Sequence, residues 1–315
     1  MVPAEFVILF SLWVLAAALV LDRLIGDPHS ALHPVALVGR LIGWWGRPGR
    51  YPPGFQRAAG VVFWCVTIVV FAAPFFLFLK FAPFIIVIVG APLLLKCCFA
   101  WRSLEDHTTA VVEALHRGTD AGRETVRMLV SRDTSSLSDE QILSAAYESM
   151  TENLTDSITA PLFYYSLLGL TGAAVYRAAN TMDAMLGYRD ERVRLGWWPA
   201  WMDDVLSFLP ARMSVLFLLL YFAARGRCTA AYRVMRRDGR NRPGFNGGIV
   251  MAAMAGGVGI RFEKPGVYTI GDAERPLQEG GAGICSAVRA AALMAAGTAA
   301  CTVILLGSWI NSTGI

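Results

Sequence analysis

The sequence predicts an all-α polytopic membrane helix bundle with a polar cavity facing the cytoplasm. Of 315 residues, 55% are hydrophobic and only 17% charged. The mean hydropathy is +0.49, and the apolar residues gather in runs long enough to cross a bilayer. A soluble domain of this length carries more charge and fewer such runs. A single membrane-embedded domain is expected over 1–315, with a cytoplasmic helical insertion at about 102–157 and a basic loop at about 225–248.

The strong candidate spans are Phe6–Leu24, Ala58–Leu79, Phe81–Trp101, Val205–Ala224 and Ile284–Trp309. Ile158–Val175 and Ile249–Ile260 are shorter or richer in Gly. The first run is expected to stay as a span, because Met1–Glu5 holds no Lys or Arg and ends in an acid. Arg40, Arg47, Arg50 and Arg57 follow it, and Arg225, Arg227, Arg233, Arg236, Arg237, Arg240 and Arg242 follow Val205–Ala224. The positive-inside rule puts both stretches in the cytoplasm and the N-terminus outside; the expected location is the cell inner membrane. A full crossing by Ile158–Val175 would then leave Arg177–Arg194 outside, and a broken segment near Pro161 relieves part of that conflict.

The six Cys contain no C-x-x-C and read as small apolar packers. The four His form no H-E-x-x-H, which argues against a zinc peptidase. No Walker A pattern occurs, and Gly257-Val-Gly259 lacks the third glycine of a dinucleotide fingerprint. No nucleic-acid partner is expected.

After the first span, Gly26 and Pro28 are helix-stop signals, and Asp27 and His33 each precede a proline. They form either an interfacial turn or the polar lip of a cavity. Gly46–Gly54 reads as an exposed Pro/Gly loop, and Glu105–Val130 as an amphipathic helix pair broken near Gly118. Arg132, in the following loop, either takes a phosphate or carboxylate with its fork or pairs with Asp133.

Ser131–Pro161 is the polar centre of this apolar chain. Ser138 and Gln141 make a capping box for a helix. At about 100° per residue, Glu148, Glu152 and Asp156 share one face with Asn153 beside them, and Leu143, Tyr147, Met150, Leu154 and Ile158 lie opposite. No Lys or Arg stands between Arg132 and Arg177, so the acids lack the i,i+4 partners of a solvated face. Stacked like charges of this kind call for a cation or a positively charged ligand.

Further on, Asn180 and Asp183 repeat the spacing of Asn153 and Asp156, an oxygen-rich pattern suited to Mg²⁺. Arg189 and Arg192 read as an anion clamp or as an ordinary charged loop. Asp203 and Asp204 are placed at a helix N-terminus, opening the span at Val205, where the dipole favours acids. The Arg233–Gly248 loop, with Asn246, combines Arg with Gly and Asn at the mouth of Ile249–Ile260.

The chain resembles the CobD/CbiB family over nearly its whole length. The likeness rests on LDRLIGDP and HPVALVGRLI within Leu21–Ile42, SRDTSSL at Ser131–Leu137, the run from Ala145 to Arg192, and DDVLSFLPAR at Asp203–Arg212. A family segment similar to HPSPNAG is reduced here to Pro243, Asn246 and Gly248.

The resemblance implies an adenosylcobinamide(-phosphate) synthase, which joins aminopropanol or its O-phosphate to a propionate carboxyl of adenosylcobyric acid at the expense of ATP. It implies that Glu152, Asp156 and Asp183, with Asp204, hold Mg²⁺–ATP, and that Glu148 orients or deprotonates the amine. Arg132, Arg189 and Arg192 would receive phosphates. Asp27, His33, Asp133, Asn153, Asn180 and Asn246 complete the expected substrate contacts. Trp44, Trp45, Trp197 and Trp198 would be apolar walls for the flat corrinoid, or interfacial belt residues. The lipid bilayer, other late cobalamin-pathway enzymes and a second copy of the chain are the further partners considered. The rival readings are a transporter whose pathway the same acids line and a non-catalytic corrinoid-binding scaffold.

Overall fold

A computed structural model describes residues 3–27 and 33–313; Met1, Val2 and the expected helix stop at Pro28 lie outside them. The chain is 77% helical, an all-α polytopic membrane bundle. In order come α1 (Ala4–Ile25), α2 (Pro34–Trp45), α3 (Gln56–Phe81), α4 (Phe84–Lys96), α5 (Trp101–Arg117), α6 (Thr119–Arg127) and α7 (Asp139–Leu154). A π-turn at Thr155–Thr159 leads into α8 (Ala160–Leu186), followed by α9 (Trp197–Ala223), α10 (Cys228–Asp238) and α11 (Gly247–Val258). The hairpin β1 (Phe262–Lys264) and β2 (Tyr268–Ile270) precedes α12 (Leu277–Thr313).

Among the described residues, six stretches are long and apolar enough to cross a membrane: Glu5–Ile25, Gln56–Phe81, Phe84–Arg117, Asp139–Leu186, Trp197–Ala223 and Leu277–Trp309. They contain or overlap the five strong candidates, and Ile158–Val175 lies inside the fourth. Ile249–Ile260 corresponds to α11, whose 12 residues are too few to span.

Two compact units divide the chain: Met1–Ala100 with Ala160–Ser207 and Ala296–Ile315, and Trp101–Thr159 with Phe208–Ala295. In the first unit α1 packs on α4, while α2 and α3 pack on α8. Val38, Ile42 and Trp45 give α2 its buried face, and the Trp45 indole donates to Thr67 Oγ1 at 3.1 Å. Tyr165 donates to the Ser11 carbonyl at 2.7 Å, which satisfies a phenol that would be expensive to bury alone.

The second unit contains the acidic helix. The capping box at Ser138 and Gln141 is present, and Gly118, at φ 133°, separates α5 from α6. Val111, Val126, Leu137, Ile142, Ala145 and Ala146 form a common core of α5, α6 and α7. Small residues bring α10 against α11: a Cβ on Gly256 would lie 2.6 Å from the Ala230 carbonyl oxygen, so only glycine admits this approach. The hairpin turns at Pro265-Gly266, closed by the Val267 amide donating to the Lys264 carbonyl at 3.0 Å, and Gly266 at φ 69° supplies the positive φ that a type II turn needs at that position.

A break does fall near Pro161, as the π-turn at Thr155–Thr159 just before it, and a second irregularity follows as a kink at Gly169, where φ is 64°. Pro161 lacks an N–H and its ring collides with the carbonyl four residues earlier; the wider π-turn accommodates both defects. One expectation is corrected: Asp203 and Asp204 do not open a helix, because α9 starts at Trp197 and they lie about two turns inside it.

Candidate active site

The second unit holds a closed polar network around Glu148. This side chain is 4% exposed and accepts hydrogen bonds from Ser144 Oγ at 2.6 Å, Arg132 Nη2 at 2.7 Å and Tyr268 Oη at 2.7 Å. Ser144 sits one turn earlier on α7, Arg132 comes from the loop after α6, and Tyr268 starts β2. Three donors, one of them cationic, are what a buried carboxylate needs.

The same atoms fasten the hairpin. Ser144 Oγ also accepts from the Glu263 amide at 2.7 Å, and Gln141 donates to the Glu263 carboxylate at 3.2 Å. Burial, and then the facing Glu148 carboxylate, hold the Tyr268 phenol above its ordinary pKa, so it remains a donor.

One turn along α7, Glu152 is ion-paired with Arg242. A Cβ on Gly247 would lie 2.5 Å from Arg242 Nη1 and 3.3 Å from Glu152 Oε1. Glycine at the start of α11 is therefore what lets the guanidinium lie against that backbone. Burial opposes the charge on Arg242, but Glu152, Tyr268 and Asp156 outweigh it and raise its pKa. Asp156 lies in the π-turn and is half-buried. That turn is tied to α9 by a hydroxyl chain: Thr155 donates to Ser214 and Ser214 to Thr159, each at 3.0 Å.

The acids of α7 thus have partners that sequence reading did not assign. Their arginines arrive from segments 16 and 90 residues away, beyond the reach of any i,i+4 count. Arg132 pairs with Glu148 and not with Asp133, which turns back to accept the Ser135 amide at 2.9 Å. That hydrogen bond holds the Asp133 carboxyl below its usual value. Asn153 is used within its own helix, donating to the Ser149 carbonyl at 2.9 Å and accepting from Ser157 at 2.8 Å. Asn246 is buried, and its carbonyl oxygen accepts from Arg212 Nη1 at 2.5 Å.

The first unit holds the other expected residues. Asp27 is ion-paired with Lys96. His33 caps α2, its Nδ1 accepting from the Val35 amide at 3.3 Å. The His33 Nε2 is buried without a hydrogen-bond partner among the described residues. Burial lowers the His33 pKa, Asp27 opposes this, and Lys96 and Arg177 add to it.

Asn180 donates to Asp203 Oδ1 at 3.3 Å, so its bonded carboxylate is on α9, across from its own helix. Asp183 and Asp204 are half-buried. Arg189 is exposed. The Arg192 fork is committed to Asp190 and to the Met185 carbonyl, at 3.0 Å from the latter, and so closes the loop after α8. Trp45 is buried in helix packing, and Trp44 is 54% exposed.

Sequence reading missed Ser144, Arg212, Arg242, Glu263 and Tyr268 as parts of this constellation. Arg242, beside Asn246-Gly247-Gly248, could have been found from its loop. Tyr268 gave no local signal. Among the described residues no group of three or more His, Cys, Asp or Glu is arranged to hold a metal ion.

The family described as CobD/Cbib protein matches residues 15–303. The chain is 42% identical over 265 residues to the probable cobalamin biosynthesis protein CobD of Methanothermobacter thermautotrophicus, covering 82% of this chain and 86% of that one. It is 37% identical over 272 residues to the cobalamin biosynthesis protein CobD of Dehalococcoides mccartyi, covering 84% and 88%. The probable CobD of Pyrococcus abyssi is 41% identical over 262 residues, covering 81% and 84%. No solved structure matches the chain.

Proposed function

The chain belongs to the CobD/CbiB family, and on that premise we propose that it is a biosynthetic enzyme of the cobalamin pathway. Its reaction is ATP-dependent amide formation between a propionate carboxyl of adenosylcobyric acid and aminopropanol or its O-phosphate. The proposed location is the cell inner membrane, with the site toward its cytoplasmic side; the arginine distribution supports only that sidedness.

A carboxylate does not react with an amine until one oxygen becomes a leaving group. Transfer of the ATP terminal phosphoryl to that oxygen releases ADP. Attack by the amine then forms the C–N bond, breaks the C–O bond and releases phosphate. The ammonium must first lose a proton, and a positioned carboxylate can take it.

The observation that carries this reading is the Glu148 network, a buried carboxylate with three donors arranged around it. Glu148 is the proposed base, and Arg132 tunes and orients it. Mg²⁺ usually takes one or two carboxylates together with substrate phosphates, so a preformed cage of three acids is not required. Asp156, with Glu152 one turn before it, fits that donor chemistry. Mg²⁺ held there would offset phosphate charge. The ligand roles of Asp183 and Asp204 and the phosphate roles of Arg189 and Arg192 rest on the family likeness alone.

The test is product formation by purified protein from adenosylcobyric acid, ATP, Mg²⁺ and either amine, read by mass. Glu148→Gln should retain its fold and lose at least about tenfold in rate, the lower range for a removed acid–base group. Wild-type protein that makes no amide, or Glu148→Gln at full rate, would overturn the assignment.

A further inference from the structure

Within the second unit, α6 and the Ser131–Ser135 loop enclose a polar cleft of about 710 Å³, a size suited to a small molecule. Arg123, Arg127 and Arg132 line it, together with Ser131, Thr134 and Ser135. Three carboxylates line it too, Asp120, Glu124 and Asp133: Asp120 pairs with Arg123 at 2.8 Å, Asp133 accepts the Ser135 amide, and Glu124 is exposed. Arg123 is further fixed by donating Nε–H to the Leu137 carbonyl at 2.9 Å.

Arg127 is exposed and pairs with no carboxylate among the described residues. Its charge nonetheless reaches Asp133 across the loop. Arg132 belongs to the cleft and to the Glu148 network at once. Its Nη2 stands on Glu148 and its Nη1 lies 3.4 Å from the Glu263 carbonyl, so of its five N–H donors several remain for a ligand.

We propose that this cleft binds the phosphate group of a small ligand, between Arg127 and Arg132, and that the ligand shares Arg132 with Glu148. Guanidinium forks match phosphate oxygens in shape and charge. An anion seated there draws on the positive charge that now serves Glu148 alone. Ligand arrival and the state of the candidate base are thereby coupled through one side chain. The proposal deepens the ligase reading and rests on it only for the identity of the ligand, since the phosphate could come from a nucleotide or from a phosphorylated amine.

Calorimetry on the purified full chain in detergent tests it with two probes, pyrophosphate and 2-aminoethyl phosphate. At least one should bind saturably to wild type. Arg127→Ala should weaken that probe about tenfold, the equivalent of one charge-assisted contact. Arg236→Ala, on the exposed side of α10, should not weaken it. Glu148→Gln should tighten binding, because Arg132 no longer neutralises a carboxylate.

A stronger response to pyrophosphate assigns a nucleotide, and a stronger response to the amine probe assigns the phosphorylated amine. Binding of neither probe, equal binding in Arg127→Ala, or no gain in Glu148→Gln overturns the proposal. Because binding is read without turnover, phosphate binding without amide product sinks only the ligase. Amide product without binding here sinks only this site.

Discussion

Tyr268 donates its phenolic proton to Glu148 across 2.7 Å, although 120 residues separate the two. The bond makes the only hairpin among the described elements part of the acidic helix's surroundings. Tyr268→Phe removes one of the donors to a buried carboxylate and should lower stability by about 1–3 kcal/mol. Thermal unfolding in detergent checks this. In a double-mutant cycle with Glu148→Gln the two losses should not add.

The Glu152–Arg242 pair is a different case, because the Glu152 side chain is 35% exposed. Partly solvated pairs contribute about 0–1 kcal/mol. Arg242→Met should therefore shift the melting temperature little while reducing amide formation by about tenfold or more. A large loss of stability with retained activity would make the pair purely structural.

Asp156→Ala and Asp183→Ala proteins that melt like wild type should both lose ATP-dependent amide formation. Full activity in either removes that residue from the site. Raised Mg²⁺ should partly rescue a variant that weakens metal binding, and it should not rescue one that removes a base.

Asp238 gives a pH test. It accepts from Arg237 at 2.7 and 2.8 Å and from the Gly271 amide at 2.8 Å. The Arg237 hydrogen bonds, opposed by burial and helped by the Gly271 amide, depress its carboxyl pKa. A depressed carboxylate contributes stability that is present above its unfolded value, about 3.9. That contribution is lost as pH falls through the lower folded value. The melting difference between wild type and Asp238→Asn should be full near pH ~6 and shrink below pH ~4.

Gly256→Val adds atoms where a Cβ alone would lie 2.6 Å from the Ala230 oxygen. The α10–α11 contact should open, costing about 1–3 kcal/mol or more, seen as lower yield and melting temperature. Gly297→Ala is the control, since a Cβ there meets nothing within 4 Å.

What could be read from the sequence was local. The capping box at Ser138, the break at Gly118 and the long apolar runs each depend on neighbours within a turn or on composition. The charge partners of Glu148 and Glu152 depend on where distant loops are brought by folding. No spacing rule connects position 148 to 268 or position 152 to 242. Asp203 and Asp204 were misplaced for a related reason: Trp197–Met202 precedes them and reads as an interfacial stretch, yet it is apolar enough to join the same helix. The π-turn was hidden because Thr155–Thr159 contains nothing that forbids regular helix. Its cause lies in the missing N–H of Pro161.

The hairpin sets a rule of register. Tyr268 is paired with Lys264 across a turn of three residues, and side chains along a strand alternate in direction. An insertion between Lys264 and Tyr268 that shifts the register by one residue would send the phenol to the opposite face and take a donor from Glu148, whereas one taken up by a longer turn would leave the phenol in place. Val267, at 53% exposure, is free to change in kind; what the phenol depends on is the pairing of its own strand.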